Sequence, residues 1–248
     1  MKITVINGTE KRGVTYRLKE IFLEPFKGRA AITEYYLPKD CPAFCIGCVN
    51  CILKGEHTCK DAIYIQKIEK SLLEADLIVM TSPAYVMHAT GAMKALLDHF
   101  AYRFMPHRPA PEMFTKRAVI ITQCLGAGAK STAKDIKHSL SWWGITKIGI
   151  FQDALMGDIF WDRITEKRKR KLTDKIKKMS EKYACMDYTK PARSGIIVKI
   201  KFCICRMIRK SVYKKYPEDL DTNYWSERGW LEKARPWKSK TLWDCDTK

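Results

Sequence analysis

Residues 1–186 alternate short apolar runs with longer stretches in which apolar side chains recur at helical spacing. The short runs predict strands at 3–6, 31–37, 77–80, 118–121 and 145–151. The longer stretches predict a helix that begins near Thr15, followed by helices at 61–74, 90–103, 131–143 and 164–183. Strand and helix therefore alternate strictly along this part of the chain.

Such alternation is typical of βαβ units, whose right-handed crossovers place helices on both faces of a parallel sheet. The run 77–80 is apolar without interruption, as expected for a strand that is covered on both faces. We therefore predict an α/β fold with a doubly wound, five-stranded parallel sheet.

A C-terminal extension at 187–248 breaks this pattern, so we predict one domain at 1–186 followed by a basic, aromatic-rich extension. Apolar residues recur at helical spacing in its segment 196–213, at Ile196, Ile200, Ile204, Met207 and Ile208. An alternating pattern fits a strand as well, at Val198, Ile200, Phe202 and Ile204, so the sequence leaves the type of element open. Four tryptophans follow, at Trp225, Trp230, Trp237 and Trp243.

The formal net charge is +19, and more than half of the excess lies after residue 160. This distribution indicates either attraction to a polyanion or a solvated helix face with a basic tail. The basic residues form no recognisable nucleic-acid module, so we expect no specific nucleic-acid partner. The basic amphipathic segment 196–213 leaves an anionic membrane surface as a candidate partner.

We expect a cytoplasmic protein. No stretch of about 20 apolar residues is present to span a membrane, and the start Met1-Lys2 leads only into a short apolar run, unlike a signal peptide. Ten cysteines, five of them between Cys41 and Cys59, fit a thiol or metal cluster in a reducing compartment.

Three loops that leave the carboxyl ends of predicted strands have the composition of a ligand site, and in open parallel sheets ligands bind at this edge. The loop 7–16 offers hydroxyls, two cations and the N–H groups of a helix start to a phosphate. It lacks the patterns of dinucleotide and triphosphate loops, so a mononucleotide phosphate fits it better. An ordinary capped turn is the alternative.

The loop 81–85 is stiffened by Pro83, and Tyr85 offers a flat apolar face to a ring, unless it only covers the sheet end. The loop 124–128 has Gly126 and Gly128, which let the backbone approach a planar ligand closely. After the third predicted helix, His107 and Arg108 either bind an anion near this edge or belong to a proline-stiffened surface loop.

These loops resemble those of the NADPH-dependent FMN reductase family. The first loop is similar to that family's phosphate-binding turn, and Ser82-Pro83-Ala84-Tyr85, continued by Gly91, Lys94 and Asp98, resembles its Ser-Pro-x-Tyr…Gly-x-x-Lys…Asp signature. The resemblance implies a flavodoxin-like fold, FMN as cofactor and NAD(P)H as co-substrate. The chain departs from the family at Val14, where a polar residue is common, and at His99, where Arg usually follows the Asp.

The resemblance also implies the residues of the cofactor site. The FMN phosphate would lie at Thr9, Lys11, Gly13, Val14 (through its backbone) and Thr15. The ribityl chain and the isoalloxazine ring would lie at Ser82, Pro83, Ala84, Tyr85, Gly126, Ala127 and Gly128. Because the flavin carries the electrons, we assign no catalytic side chain.

Four cysteines follow the spacing Cys45-x2-Cys48-x2-Cys51-x7-Cys59. Four thiolates at compact spacing are a ligand set for a [4Fe–4S] cluster or for zinc, and free or redox-active thiols are the third alternative. The spacing resembles the cluster motif of the iron–sulfur flavoproteins, which are close to the reductases named above.

We therefore expect an FMN-dependent NAD(P)H oxidoreductase with a quinone, nitro compound, flavin or metal ion as acceptor. The alternative is an iron–sulfur flavoprotein that exchanges electrons with ferredoxin. The resemblance further implies a homodimer or higher homo-oligomer, in which we expect the aromatic end of the extension to wrap a neighbouring subunit.

Overall fold

A computed structural model describes residues 1–155 and 160–238; Trp243 lies outside the described residues. Five strands form one parallel sheet: β1 (Lys2–Asn7), β2 (Ala31–Tyr36), β3 (Leu77–Pro83), β4 (Arg117–Cys124) and β5 (Lys147–Ala154). The strand order is β2-β1-β3-β4-β5. The order reverses between β1 and β3, which is the point where doubly wound sheets place ligands.

The described helices follow the strands along the chain. They are α1 (Val14–Leu23), α2 (Asn50–Leu53), α3 (Ala62–Glu74), α4 (Gly91–His99), α5 (Ala129–Trp142), α6 (Glu166–Ala184), α7 (Ile196–Lys215) and α8 (Leu220–Glu227). Short 3₁₀ turns lie at Glu24–Phe26, Glu56–Thr58, Ala101–Arg103, Pro111–Thr115, Trp161–Arg163 and Pro236–Lys238.

Two apolar layers cover the sheet. On one face α1 and α6 pack through residues such as Leu18 and Ile176 onto the odd-numbered positions of β1, β3, β4 and β5 and onto Ile32 of β2. On the other face α3, α4 and α5 pack onto the even-numbered positions of the same four strands, among them Ile78, and onto Tyr35 of β2. The strands alternate between the two layers because successive side chains point to opposite faces. The predicted doubly wound α/β fold is confirmed.

Some elements differ from the predicted ones, and for one of them the packing gives the reason. In place of the helix predicted at 90–103, α4 ends at His99 and a 3₁₀ turn follows at Ala101–Arg103. Strand β5 runs from Lys147 to Ala154, whereas the prediction was 145–151. Segment 196–213, which the sequence left open, is the helix α7. The reason is packing: Val198, Phe202 and Cys205 form one buried stripe at a spacing of three and four residues.

The extension forms a third apolar cluster with the rest of the chain. Phe202, Trp225 and Trp230 pack together and against Phe114 and Met105, which precede β4. Trp225 and Trp230 are fully buried in this cluster. Trp225 and Trp230 therefore do not wrap a neighbouring subunit, since their surface is covered within their own chain. For the rest of the aromatic end that expectation stays a prediction. Among the described helices, none has both the length and the apolar character that crossing a membrane requires.

Candidate functional site

The predicted site lies at the carboxyl edge of the sheet, where β1, β3 and β4 end side by side. Hydrogen bonds join the loops that leave these strands. The Gly8 N–H donates to the Thr81 carbonyl oxygen at 2.7 Å, and the Thr90 hydroxyl donates to the Gly8 carbonyl oxygen at 2.6 Å. The Ala84 N–H donates to the Gln123 carbonyl oxygen at 2.8 Å. The structure thus brings the three loops together.

Two glycines permit this close approach. A Cβ atom at Gly8 would lie 2.8 Å from the Thr81 carbonyl oxygen. Gly128 has a φ of +104°, and a Cβ atom there would lie 2.9 Å from the Cα atom of Met87. Gly128 therefore needs both its left-handed backbone and its missing side chain for the third loop to lie against the second.

The first loop ends at the N-terminus of α1, which has the properties of an anion site. Gly13 is the N-cap and supplies no side-chain hydrogen bond, so the N–H groups of the first turn are left without a side-chain cap. Lys11 and Arg12 are exposed beside it, whereas Val14 is buried, so that only its backbone faces the loop. The Thr9 hydroxyl accepts a hydrogen bond from the Lys11 N–H at 3.2 Å.

Unsatisfied buried oxygens concentrate near this edge. Thr15 lies in the first turn of α1, and its Oγ1 atom is buried without a hydrogen-bond partner among the described residues. The same is true of oxygens on Thr122 and Gln123, close to the end of β4, and on Thr132 at the start of α5. Because buried polar groups are normally paired, the Thr15 hydroxyl beside an uncapped helix start fits a phosphate oxygen.

The second loop forms a small hairpin whose apolar tip is exposed. Tyr85 and His88 are paired, and the two residues between them, Val86 and Met87, both have left-handed backbones (φ +47° and +72°). A β-branched residue in that conformation is strained. Asp135 of α5 holds the hairpin by accepting hydrogen bonds from the Ala89 N–H at 3.1 Å and from His88 at 3.0 Å.

The hairpin presents an apolar wall beside the first and third loops. Tyr85 is 49% and Val86 is 95% exposed, and Leu125 of the third loop is exposed as well. Such side chains fit the face of a planar ring. Ser82, by contrast, is buried, and its hydroxyl already accepts from the Thr90 N–H and donates to the Pro83 carbonyl oxygen. The Ser82 side chain therefore stabilises the conformation of this loop.

Two surface cavities lie outside this edge. One of about 650 Å³ lies between α4 and α5 and adjoins the hairpin at His88. A larger one of about 860 Å³ follows β5 and α6, and it is lined by Arg117, Lys147 and Lys178. Since the larger cavity lies against the first half of β5, it is remote from the loops of the candidate site.

The cysteine loop brings its four predicted ligands near one another. Burial raises the pKa of the Cys51 thiol, and the neighbouring thiols of Cys59, Cys45 and Cys48 raise this pKa further. The four groups therefore lie within electrostatic reach of each other. No three of their sulfur atoms, however, lie within 4.8 Å of one another; in the described residues only Cys59, Asp61 and His99 form such a close set.

Four cysteine thiolates are a ligand set for either a [4Fe–4S] cluster or a zinc ion. Among the described residues, the arrangement of the sulfur atoms does not favour one of these metals over the other.

His99, where the chain departs from the family signature, lies next to this loop. It is buried, and its ring nitrogens lie 2.8 Å from the Ala95 carbonyl oxygen and 3.0 Å from Oδ2 of Asp61. Asp61 follows Cys59 by two residues, so this contact anchors the end of the cysteine loop to α4.

Sequence reasoning missed a buried charge network that binds the extension to the cysteine loop. Arg108 donates to the carboxylate of Asp221 and to the carbonyl oxygens of Ile52 and Cys51. His107 Nδ1 lies 2.6 Å from Asp221 Oδ2. The guanidinium of Arg108 is thus enclosed by protein acceptors, and the alternative that it binds an anion beside the flavin is wrong.

Comparison with known proteins identifies the chain at the level of family. The model of the NADPH-dependent FMN reductase family matches residues 1–155, which include all three loops of the candidate site. The chain belongs to this family. The matched residues include the three loops that resemble those of the FMN reductases, and they cover the whole sheet.

Curated relatives of this FMN reductase family member include two iron–sulfur flavoproteins of Archaeoglobus fulgidus. One is 37% identical over 99 residues, which are 40% of this chain and 48% of the relative. The other is 28% identical over 107 residues, which are 43% and 46% of the two chains. The chain spans about half the length of the curated relatives it matches.

Solved structures with the same fold include an FMN-dependent NADH-azoreductase from Bacillus anthracis in complex with FMN. It has 13% sequence identity and a TM-score of 0.56, with 74% of this chain and all of the azoreductase covered. A flavone reductase has 13% identity and a TM-score of 0.56, with 92% and 96% covered. These structures confirm the flavodoxin-like fold of this FMN reductase family member.

Proposed function

We propose that the chain binds FMN at the carboxyl edge of its sheet and acts as an NAD(P)H-dependent oxidoreductase. When bound, FMN supplies the redox chemistry, by accepting hydride from a reduced nicotinamide and passing electrons to an acceptor. The observation that carries the proposal is the meeting of an uncapped helix start, an unpartnered Thr15 hydroxyl and an apolar hairpin at one edge.

Each part of this edge has a distinct task. The N–H groups of the first turn of α1 and the Thr15 hydroxyl bind the phosphate, whose charge the positive end of the helix dipole favours. Lys11 adds a cation near that position. The hairpin 84–88 and the third loop border the ring, with Tyr85 and Leu125 excluding water from its faces. The open surface beside the hairpin admits the acceptor, for which the candidates are a quinone, a nitro compound, a flavin or a metal ion.

Replacement of Thr15 with valine tests the phosphate position. Valine has nearly the same shape but no hydroxyl, and a hydrogen bond to a charged group contributes about 1.5–3 kcal/mol. We expect the Kd for FMN, measured by quenching of flavin fluorescence, to rise about 10- to 100-fold. NADPH oxidation at saturating FMN should persist, because the hydroxyl takes no part in hydride transfer.

The matched control is Thr4→Val, which removes another buried hydroxyl, one that donates to the Ser71 carbonyl oxygen in the first half of β1, away from the candidate site. It should leave the FMN affinity unchanged. If Thr15→Val binds FMN as tightly as the unaltered protein, the phosphate does not lie at α1. If the unaltered protein takes up no FMN at all, the proposed function is wrong.

A second candidate function, an iron–sulfur flavoprotein that carries single electrons, rests on the cysteine loop. The four thiols lie within electrostatic reach of one another, and the curated relatives named above are called iron–sulfur flavoproteins. As ligands, Cys45, Cys48, Cys51 and Cys59 would hold a [4Fe–4S] cluster near the start of α3.

Analysis of iron and labile sulfide in anaerobically purified protein tests the cluster. We expect Cys48→Ser to lose most of the iron and sulfide, because each cysteine supplies one thiolate ligand. Cys185→Ser, an exposed cysteine at the end of α6, is the control and should retain them. Equal iron content in both variants, or none in the unaltered protein, would remove this candidate.

A further inference from the structure

Helix α7 presents an apolar face to solvent. Its buried stripe, formed by Val198, Phe202 and Cys205, packs on the aromatic cluster of the extension. On the opposite side, six large apolar side chains are each between 46% and 70% exposed: Ile196, Ile197, Ile200, Ile204, Met207 and Ile208. At 3.6 residues per turn they form one continuous stripe along most of the helix. This face is too large and too regular to be a scatter of single exposed residues.

The charges of α7 are arranged around this stripe. The helix contains no Asp or Glu. By helical geometry, Lys199 and Lys210 lie along one margin of the stripe and Lys201 along the other, while Lys214 and Lys215 lie at its C-terminal end. Lys210, Lys214 and Lys215 can reach past the apolar stripe with their aliphatic stems and place their ammonium groups beside it. The Lys201 ammonium instead donates to the Ser141 hydroxyl oxygen at 2.8 Å and lies over the ring of Trp142.

We propose that this face of α7 docks the protein on an anionic lipid bilayer, with the helix lying in the plane of the membrane surface. A helix with one apolar face, lysines at its margins and no acidic side chain has the pattern of interfacial helices. The formal charge of +19 adds a long-range attraction to negative headgroups. The basic side chains exclude a spanning orientation, in agreement with the absence of any membrane span among the described helices.

Charge also decides between a membrane and a second copy of the chain. Packing two α7 faces against each other would bring together helices whose only charged side chains are basic, and no acidic partner on either helix would offset the repulsion. An anionic bilayer offers the opposite charge to the same margins. The proposal is independent of the function assigned to the flavin edge, since α7 contributes no residue to that site.

Co-sedimentation of the full-length protein with vesicles tests the proposal. We expect binding to phosphatidylcholine vesicles that contain phosphatidylglycerol, and weak binding to pure phosphatidylcholine. Raising the salt from about 0.1 M to 1 M, which shortens the Debye length from about 10 Å to 3 Å, should release most of the protein. Lys210→Ala should weaken binding about fivefold, as expected for one lysine at an anionic surface.

Charge placed within the apolar stripe should have a larger effect. We expect Ile200→Glu and, separately, Met207→Glu to weaken vesicle binding by about tenfold or more, because a carboxylate cannot enter the acyl boundary. Both positions are exposed, so the fold should persist, which circular dichroism verifies. Ile63→Glu is the matched control, because Ile63 is 77% exposed on α3 and the change in net charge is identical. It should bind nearly as well as the unaltered protein.

Four results would overturn the proposal. They are no binding to anionic vesicles, equal binding to neutral vesicles, an equal loss in Ile63→Glu and Ile200→Glu, and an oligomer on gel filtration that Ile200→Glu dissociates while vesicle binding is unchanged. The last result would assign this face to a second copy of the chain.

Discussion

Replacing Asp221 with alanine should lower the free energy of unfolding by about 3–5 kcal/mol, the usual cost of removing one partner from a buried ion pair. The Asp221 side chain is only 2% exposed. It accepts hydrogen bonds from Arg108, from Arg209 at 2.9 Å and from His107 at 2.6 Å. Without it, two buried guanidinium groups lose their most buried counter-charge and keep only the more exposed carboxylates of Glu56 and Asp219. Since domains are stable by about 5–15 kcal/mol, this is a large fraction of the total.

Urea unfolding followed by tryptophan fluorescence measures this effect, because Trp225 donates to the His107 carbonyl oxygen at 2.6 Å within the same network. Asp221→Asn, which retains shape and one acceptor, should lose less stability than the alanine variant. Asp174→Ala, an exposed change on α6, should alter the free energy of unfolding by no more than about 0.5 kcal/mol. If Asp221→Ala also lowered the free energy of unfolding by no more than about 0.5 kcal/mol, the charge network would not stabilise the fold as we expect.

Replacing Gly128 with valine should raise the Kd for FMN roughly 10- to 100-fold. The valine Cβ would lie 2.9 Å from the Cα atom of Met87 and 3.2 Å from the Cβ atom of Ala84, and the backbone would have to keep a φ of +104°. A left-handed conformation costs a residue with a side chain about 1–3 kcal/mol. We therefore expect the third loop to move away from the hairpin. FMN could bind only after the loop had returned to its strained conformation, and the free energy of that strain would be lost from the binding free energy.

Flavin fluorescence titration measures the affinity of this variant, and thermal unfolding shows whether the apoprotein remains folded. Gly91→Ala is the control, because Gly91 has an ordinary φ and a Cβ atom there would meet no other atom within 4 Å. It should bind FMN as the unaltered protein does. Normal FMN affinity in folded Gly128→Val would mean that the contact between the second and third loops does not form part of the cofactor site.

The sequence allowed most of the fold to be predicted. Runs such as 77–80 and 118–121 lie within observed strands, and the stretches between runs are helices, because apolar periodicity reflects which face of each element is buried. The three loops could also be located, since parallel strands deliver their carboxyl ends to one edge. The contacts of Thr9, Thr15, Tyr85 and Gly126 with FMN remain predictions.

Other features were decided only by the tertiary structure. The sequence of segment 196–213 fits a helix or a strand. Packing of its buried stripe against Phe114 and Trp225 decides for a helix, and this packing leaves the second apolar face exposed to solvent. Asp221 and Arg108 are 113 residues apart in the chain, so no local pattern links them. Local periodicity predicts which face of a segment is buried, whereas the residues that cover this face come from distant parts of the chain. For that reason the sequence alone determined the sheet and its loops, and folding determined the charge network and the exposed face of α7.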